Sequence, residues 1–436
     1  MSTLTPEAPG HETLEPERQE PRFALLKLFV GLTAIVALFL GFGAGPLLAV
    51  IVGLIVMIML HELGHFATAK WSGMKVTEYF VGFGPRLWSV RKGETEYGVK
   101  AIPAGGYVRI IGMSSVEEID PDDEPRAYRN QAFGKRILVA SAGSIMHVII
   151  AFVLALIVVC AIGRPNPSAV SVSKFLSFGS GETPAQAAGL LPGDRIVSVN
   201  GHAVTSPDTL SAVVGSHAGR AVSVTVSRSG VEHTYRVVPV DGRRVRVDGS
   251  PLVSASRPAR GYLGVSLSEG SMTTNVLAGI PAAGSIVWNV TTGSVAAIGH
   301  LFSPSGISSY VHVITHPGAT QNATSTAAQN RPESIVGAVR TATQAAQAGW
   351  LPIFEVFIAL NIFIGVINML PMLPLDGGHV VIALYEWIRT GRSKTRYRAD
   401  VSKLMPVVYA FVGVLLLLVI SSLYLDIAHP ISNPFK

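Results

Sequence analysis

The stretch IMLHELGHFATAK, residues 58–70, places His61, Glu62 and His65 within one helical turn of each other. On an α-helix, residues four apart share a face, so the two imidazoles converge while Glu62 projects beside them. Two histidines so placed can bind one zinc ion, and the neighbouring carboxylate can take a proton from a metal-activated water. The pattern closes an apolar run that begins at residue 46. An ionisable side chain in a membrane helix costs roughly 2.5–3.5 kcal/mol on insertion scales, so three in such a place mark a functional site.

A catalytic zinc needs a third protein ligand and an open position for water. The candidate source is NMLPMLPLDGGH, residues 368–379. Pro371 and Pro374 break a helix there, and Asp376 follows them, just ahead of Gly377 and Gly378. Irregular backbone at membrane depth is tolerated only where it is buried in protein or lines a wet cavity. Asp376 is the expected third ligand, with His379 a rival further along the chain. The single cysteine, Cys160, excludes an internal disulfide and a cysteine-based metal centre.

These groups need elements to carry them, and the composition says which. Of 436 residues, 49% are hydrophobic and 14% are charged. A soluble chain carries about 25% charged residues, so this is a membrane protein with soluble mass attached. The net charge of +6 belongs to cytosolic loops rather than to nucleic-acid binding. No basic helix or base-stacking module stands out, and no nucleic-acid partner is expected.

Apolar runs predict spans over 23–42, 46–69, 137–163, 350–382 and 404–425. Residues 1–22 read as a disordered tail rich in Pro, Glu and Thr. The segments 70–136 and 385–403 are basic and therefore cytosolic by the positive-inside rule. The tail is then cytosolic, and the long polar region between the third and fourth spans lies outside. Within that region, 246–348 is a linker with an amphipathic part. Residues 275–302 are apolar but interrupted by Asn275, Pro281 and Asn289, so they read as a surface-associated helix rather than a sixth span.

Residues 184–201, PAQAAGLLPGDRIVSVNG, give a short helix, a glycine turn and an alternating strand. AVSVTVSRSG and HTYRVVPV add two strands joined by a Ser-Gly turn, and 208–219 has helical spacing. The region 168–245 resembles a PDZ domain, a module that binds extended peptide ends at a sheet edge.

HELGH and NMLPMLPLDGG together resemble the site-2 protease family of intramembrane zinc metalloproteases. The second matches that family's Asn-x-x-Pro-x-x-Pro-x-Asp-Gly pattern. A PDZ-like stretch between the third and fourth spans, closed by RGYLGV at 260–265, resembles its bacterial branch that cuts anti-sigma factors. Residues 81–113 resemble the segment that forms a β-hairpin dipping into the membrane beside the substrate. The resemblance implies a polytopic α-helical membrane protein with a cytosolic-side re-entrant β-hairpin and an extracytoplasmic PDZ domain, in a bacterial plasma membrane.

It further implies Zn2+ held by His61, His65 and Asp376, with Glu62 as general base and acid. Asn368 would contact substrate or intermediate. Gly82, Gly84, Gly105 and Gly106 would be close-approach positions of the hairpin, and Gly105, Gly106, Pro371 and Pro374 would bind substrate. The implied substrate is a single-span, anti-sigma-factor-like protein already trimmed outside by a first protease. Two features depart from the family. Its frequent Ala-Gly-Pro-x-x-Asn is AGSIMH here, with Ser144 for the proline and His147 for the asparagine. The span 23–42 is extra. Rival readings are a PDZ-bearing scaffold with an inactive metal site and a metal-cation transporter. The Glu between the two histidines argues against the transporter, and the intact set of four site residues argues against the scaffold.

Overall fold

The computed structural model describes residues 21–435 apart from 114–117, 177–180, 248–249, 252–257, 321–324, 326–327, 329–330 and 392–396. The predicted tail, up to residue 20, and the middle of the basic 385–403 segment lie outside the described residues. The chain divides into two compact units, one comprising residues up to Phe152 together with Val287 onward, the other Val153–Ile286.

The first unit is built on apolar helices. α1 covers Pro21–Gly41 and α2 covers Gly45–Trp71. Pro46 occupies the first turn of α2, where the missing N–H has no helical partner to lose. At 27 residues, α2 is about 40 Å long at 1.5 Å per residue, more than the roughly 30 Å hydrocarbon core. α3, Phe133–Ile157, continues through a π-helical turn to Ile162. α4 is Trp350–Asn368, α5 is Asp376–Gly391 and α6 is Met405–Ala428. Among the described residues, four helices are long and apolar enough to cross a membrane: Gly45–Trp71, Phe133–Ile162, Trp350–Asn368 and Val401–Ala428. The segment of α1 that is apolar in this sense, Leu28–Gly41, is shorter. The span predicted over 350–382 is two helices, α4 and α5, with the proline-containing loop between them. Residues 276–301 form one helix through Pro281, and it is not among the four.

Close helix packing uses small residues. A Cβ on Gly64 of α2 would lie 2.7 Å from the Ala142 carbonyl of α3, so the two backbones touch there. A Cβ on Gly365 of α4 would lie 3.1 Å from the His147 Cβ. Arg136 of α3 donates to Glu386 of α5 at 2.5 Å, with both side chains largely buried. A second buried pair holds the end of α6. Arg331 and Asp426 are 0% and 2% exposed, and Asp426 also accepts from the Ser334 N–H at 2.7 Å.

Between α2 and α3 runs a long antiparallel hairpin, β1 (Val76–Lys92) and β2 (Thr95–Ile110). It folds over on itself. Residues 76–81 pair with 106–110 on one side and with 96–99 on the other, while 86–92 pair with the outer edge of 95–100. The fold-over is made by Gly82 and Gly84, whose φ of +85° and +82° favours glycine. A Cβ at Gly82 would also meet the Ile102 carbonyl at 2.6 Å.

The second unit carries a six-stranded antiparallel sheet. Its path runs from Val265–Met272 to Arg164–Phe175, Arg195–Val199, Val222–Arg228 and Val231–Val237, with His202–Ala203 paired to Arg195–Val199. Val222, Val224 and Val226 alternate into the core with Val170, Val172, Ile196 and Leu210. The helix Pro207–Gly215 is capped by the Ser206 hydroxyl and buries Leu210 and Val214. Asp194, in the LLPGD turn, accepts both Nε and Nη2 of Arg228 at 2.7 Å and the Leu191 N–H at 2.8 Å. That guanidinium holds its carboxyl below the usual carboxylate range.

Candidate active site

His61 and His65 lie one turn apart on α2, 8% and 4% exposed. His65 Nδ1 donates to the Val139 carbonyl of α3 at 2.7 Å, which leaves its Nε2 as the lone-pair nitrogen. The two Nε2 atoms are 3.3 Å apart. Gly143 of α3 lies against both rings, and a Cβ there would strike them. The helix contact at Gly64 and Gly143 therefore presses the imidazoles toward α5.

Asp376 arrives from the far end of the sequence because the loop after α4 wraps tightly round the start of α5. Gly377 and Gly378 are buried, and a Cβ on Gly378 would lie 2.6 Å from the Leu373 nitrogen. The Leu375 N–H donates to Met372 at 3.0 Å, and the Gly378 N–H to Leu375 at 3.0 Å. The two glycines let this loop close with Asp376 as the first residue of the new helix. Its Oδ2 lies 3.3 Å from His65 Nε2 and 3.6 Å from His61 Nε2.

These donors fit a metal. Tetrahedral ligands about 2.0–2.1 Å from a zinc ion stand about 3.3 Å from one another, close to the separations among the three atoms. Asp376 Oδ2 is buried without a hydrogen-bond partner among the described residues. Two imidazole nitrogens facing each other share at most one proton. A cation between the three satisfies them all, and neutral imidazole with carboxylate is a usual zinc donor set.

The rival ligand His379 stands elsewhere, with its ring edge-on to Tyr128 at 6.2 Å. Glu62 projects from the side of α2 that meets the hairpin. A Cβ on Gly106 would lie 2.7 Å from Met59 Sδ and 3.4 Å from Glu62 Cγ, so 106–110 runs directly alongside the HELGH turn. Tyr79 also donates to the Met59 carbonyl at 2.9 Å. Gly105 faces the Phe83 ring instead of α2. Asn368 ends α4 half-buried, and Pro371 and Pro374 are exposed in the loop. No bond among the described residues brings these three to the metal donors.

Sequence reasoning missed Asn361. It is 1% exposed and its Oδ1 lies 3.0 Å from His147 Nδ1. The signal was an amide alone within an apolar run, FIALNIFIGVI. His147, which stands where the family often has asparagine, is also 1% exposed, and its ring centroid is 4.9 Å from that of His61.

At the C-terminal end of α2, Glu94 in the hairpin turn accepts from Arg126 at 2.6 and 2.8 Å and from Lys70 at 2.6 Å. The Arg126 guanidinium, with Lys70, holds the Glu94 carboxyl down at about 2. The hairpin is thereby tied to the helix that carries the histidines.

Comparison with known proteins agrees with this geometry. The profile of peptidase family M50 matches residues 49–413. Zinc metalloprotease Rip1 of Mycobacterium tuberculosis strain H37Rv is 34% identical over 412 residues, covering 88% of this chain and 96% of that protein. Zinc metalloprotease Rip1 of Mycolicibacterium smegmatis is 33% identical over 419 residues, covering 90% and 99%. The chain belongs to peptidase family M50, the site-2 protease family, and is a zinc metalloprotease.

Proposed function

We propose that the chain hydrolyses a peptide bond inside the membrane span of a single-span protein already shortened on the outer side, an anti-sigma-factor-like regulator. The observation that carries this reading is the position of the donors. His61 and His65 close an apolar helix long enough to cross a bilayer, and Asp376 opens a helix directly after another. A protease whose centre is built into spanning helices acts on substrate that is itself in the membrane.

In this reading His61, His65 and Asp376 hold Zn2+. The bound metal supplies Lewis acidity, which activates water at neutral pH and polarises a carbonyl. Glu62 takes the proton from the attacking water and delivers it to the leaving nitrogen. Asn368 contacts the substrate or intermediate near the break after α4.

A helical substrate hides its carbonyls in i to i−4 bonds, so its span has to unwind before attack. Among the described residues 106–110 pair with 76–81 only, which leaves an outer edge unpaired, and the face of Gly106 meets Glu62. An extended substrate can add to that edge, with Gly106 allowing the approach. Pro371 and Pro374 would line the other side of the bound strand. This is the role of a re-entrant hairpin.

The sheet of the second unit is read as a PDZ domain on the outer side. Its terminal strand, Val265–Met272, pairs on one side only. A cavity of about 400 Å³ beside the helix Pro207–Gly215 is lined by Ser211, Gly215, Arg260 and Tyr262 among others. Such a domain screens substrates by the length left outside.

The test is cleavage of two purified single-span proteins in proteoliposomes, one trimmed outside and one intact, with the cut mapped by mass spectrometry. The reading requires a cut within the span of the trimmed protein, and refusal of the intact one that is relieved by deleting 168–245. A cut confined to water-exposed loops contradicts it.

A further inference from the structure

α4 carries one ionisable side chain, Glu355, in WLPIFEVFIALNIFIGVIN. The helix has 19 residues, about 28 Å at 1.5 Å per residue, and a hydrocarbon core is about 30 Å thick. It therefore needs its whole length to cross, with Trp350, exposed at its first position, as an interface anchor. Glu355 lies further in, about 7.5 Å along the axis, inside the apolar layer. A carboxylate at that depth is costly and marks a functional position.

The ionisable side chains of α2, α3 and α6 all have a partner or a part in the reaction. Lys70 meets Glu94, Lys135 the Ser72 carbonyl, Arg136 Glu386, His147 Asn361 and Asp426 Arg331. The rest are His61, Glu62 and His65 of the candidate active site. Glu355 is exposed and has no hydrogen bond or ion pair among the described residues. It heads an open stripe of α4. Glu355, Ala359 and Phe363 are exposed at four-residue spacing, so they share a face, whereas Ile358, Asn361, Ile362 and Gly365 are buried. Beyond the stripe α4 ends at Asn368, and the loop with Pro371 and Pro374 leads to Asp376. Ala359, small and central in the stripe, leaves room for a second helix to approach. Lipid chains would cover the stripe without satisfying the carboxylate, and a phosphate headgroup would repel it. A basic side chain on a second apolar helix satisfies both.

We infer that this stripe docks the substrate span and that Glu355 pairs with a Lys or Arg near the outer end of that span. The inference rests on the proposed function, in which a trimmed span enters from outside and unwinds near the metal donors. From Glu355 to Asn368, α4 covers about 20 Å. A span that is helical beside the stripe and extended near the cut, at 1.5 Å and about 3.3 Å per residue, places its basic residue roughly 8–13 residues to the outer side of the cut bond. The substrate class narrows to single-span proteins with a cation in that window. Glu355 is a specificity residue and touches no reacting atom.

The probes are three purified leucine-rich single-span reporters, short on the outer side. They are identical but for one residue, Lys, Leu or Glu, about ten positions outward of the mapped cut, within that window. Cleavage is followed in proteoliposomes with the wild-type full chain, Glu355→Gln and Glu355→Lys. Wild type is expected to favour the Lys reporter over the Glu reporter by about tenfold or more in kcat/KM, a modest value for a close interfacial charge pair. Glu355→Gln should lose the preference, and Glu355→Lys should favour the Glu reporter. Comparing wild type with Glu355→Gln cancels any effect of the charge on the reporter alone. Zinc content and thermal unfolding monitor the fold of each variant. Equal cleavage of all three reporters by wild type, or a Lys preference that survives Glu355→Gln, overturns the docking and leaves the protease reading standing. An equal slowing of all three by Glu355→Gln also overturns it, since the carboxylate is then merely structural. A zinc-loaded wild type that cuts none of the spans defeats the proposed function itself.

Discussion

At the scale of single residues, the proposed function divides labour between holding a metal and moving a proton. His61, His65 and Asp376 meet within 3.3–3.6 Å, and Glu62 stands beside them on the hairpin side of α2. Glu62→Gln should lower the turnover of a trimmed substrate by about 10²–10⁴-fold, the usual worth of general acid–base catalysis, while zinc content stays at wild-type level. Asp376→Ala should instead lose zinc, and His379→Ala should keep it. Metal analysis of the three purified variants, with a cleavage assay of Glu62→Gln, checks these outcomes. The convergence of His61, His65 and Asp376 was legible in the sequence because HELGH fixes a helical face and a proline-broken span fixes where a third group can enter. Asn361 was not, because a partner on another helix, His147, leaves no periodic mark in either segment. What distinguishes His147 from an ordinary packed histidine is its ring beside His61, and that contact exists only once α3 crosses α2 at Gly64 and Gly143.

At the scale of elements, glycines and buried ion pairs decide whether the donors meet. A side chain at Gly106 would collide with Met59 and crowd Glu62. Gly106→Leu should therefore cut activity strongly with zinc binding largely retained, as assayed by cleavage and metal content together. The Arg331–Asp426 pair is fully buried. Asp426→Asn strands a buried guanidinium and should destabilise the fold by about 3–5 kcal/mol, measured by unfolding in detergent. Glu94 gives a pH dependence of known sign. Its folded carboxyl titrates near 2, below its ordinary value of 4.5. The stability it contributes is present above pH 4.5 and is lost as the pH falls toward 2. The protection of the hairpin against proteolysis should differ between wild type and Glu94→Gln at neutral pH and converge near pH 2.

Apolar helices at four of the five predicted runs and the sheet strands were also legible, since apolar length and period-two alternation are local properties, whereas the apolar stretch in the first run, Leu28–Gly41, is shorter. The break at Asn368 was anticipated from the prolines, but not the independent helix that begins at Asp376. That start depends on loop backbone filling the space over Gly377 and Gly378, which no periodicity reports. The doubled pairing of 76–81 was equally hidden, because a strand paired on both sides by its own hairpin partner reads in sequence like any long strand.

At the scale of the whole molecule, a membrane unit carries the chemistry and a separate β unit, Val153–Ile286, carries a sheet with a cavity at its Arg260 corner. The family assignment covers the span-bearing sequence from residue 49 to 413, so the two units belong to one protease. The account's central claim is that this metal centre cuts membrane spans. The most direct measurement compares the membrane proteomes of cells carrying wild type and Glu62→Gln. The account predicts single-span proteins that accumulate in the mutant as stubs trimmed outside, with their soluble inner fragments present only in wild type. Identical proteomes under several envelope stresses, with both proteins expressed and zinc-loaded, would contradict it.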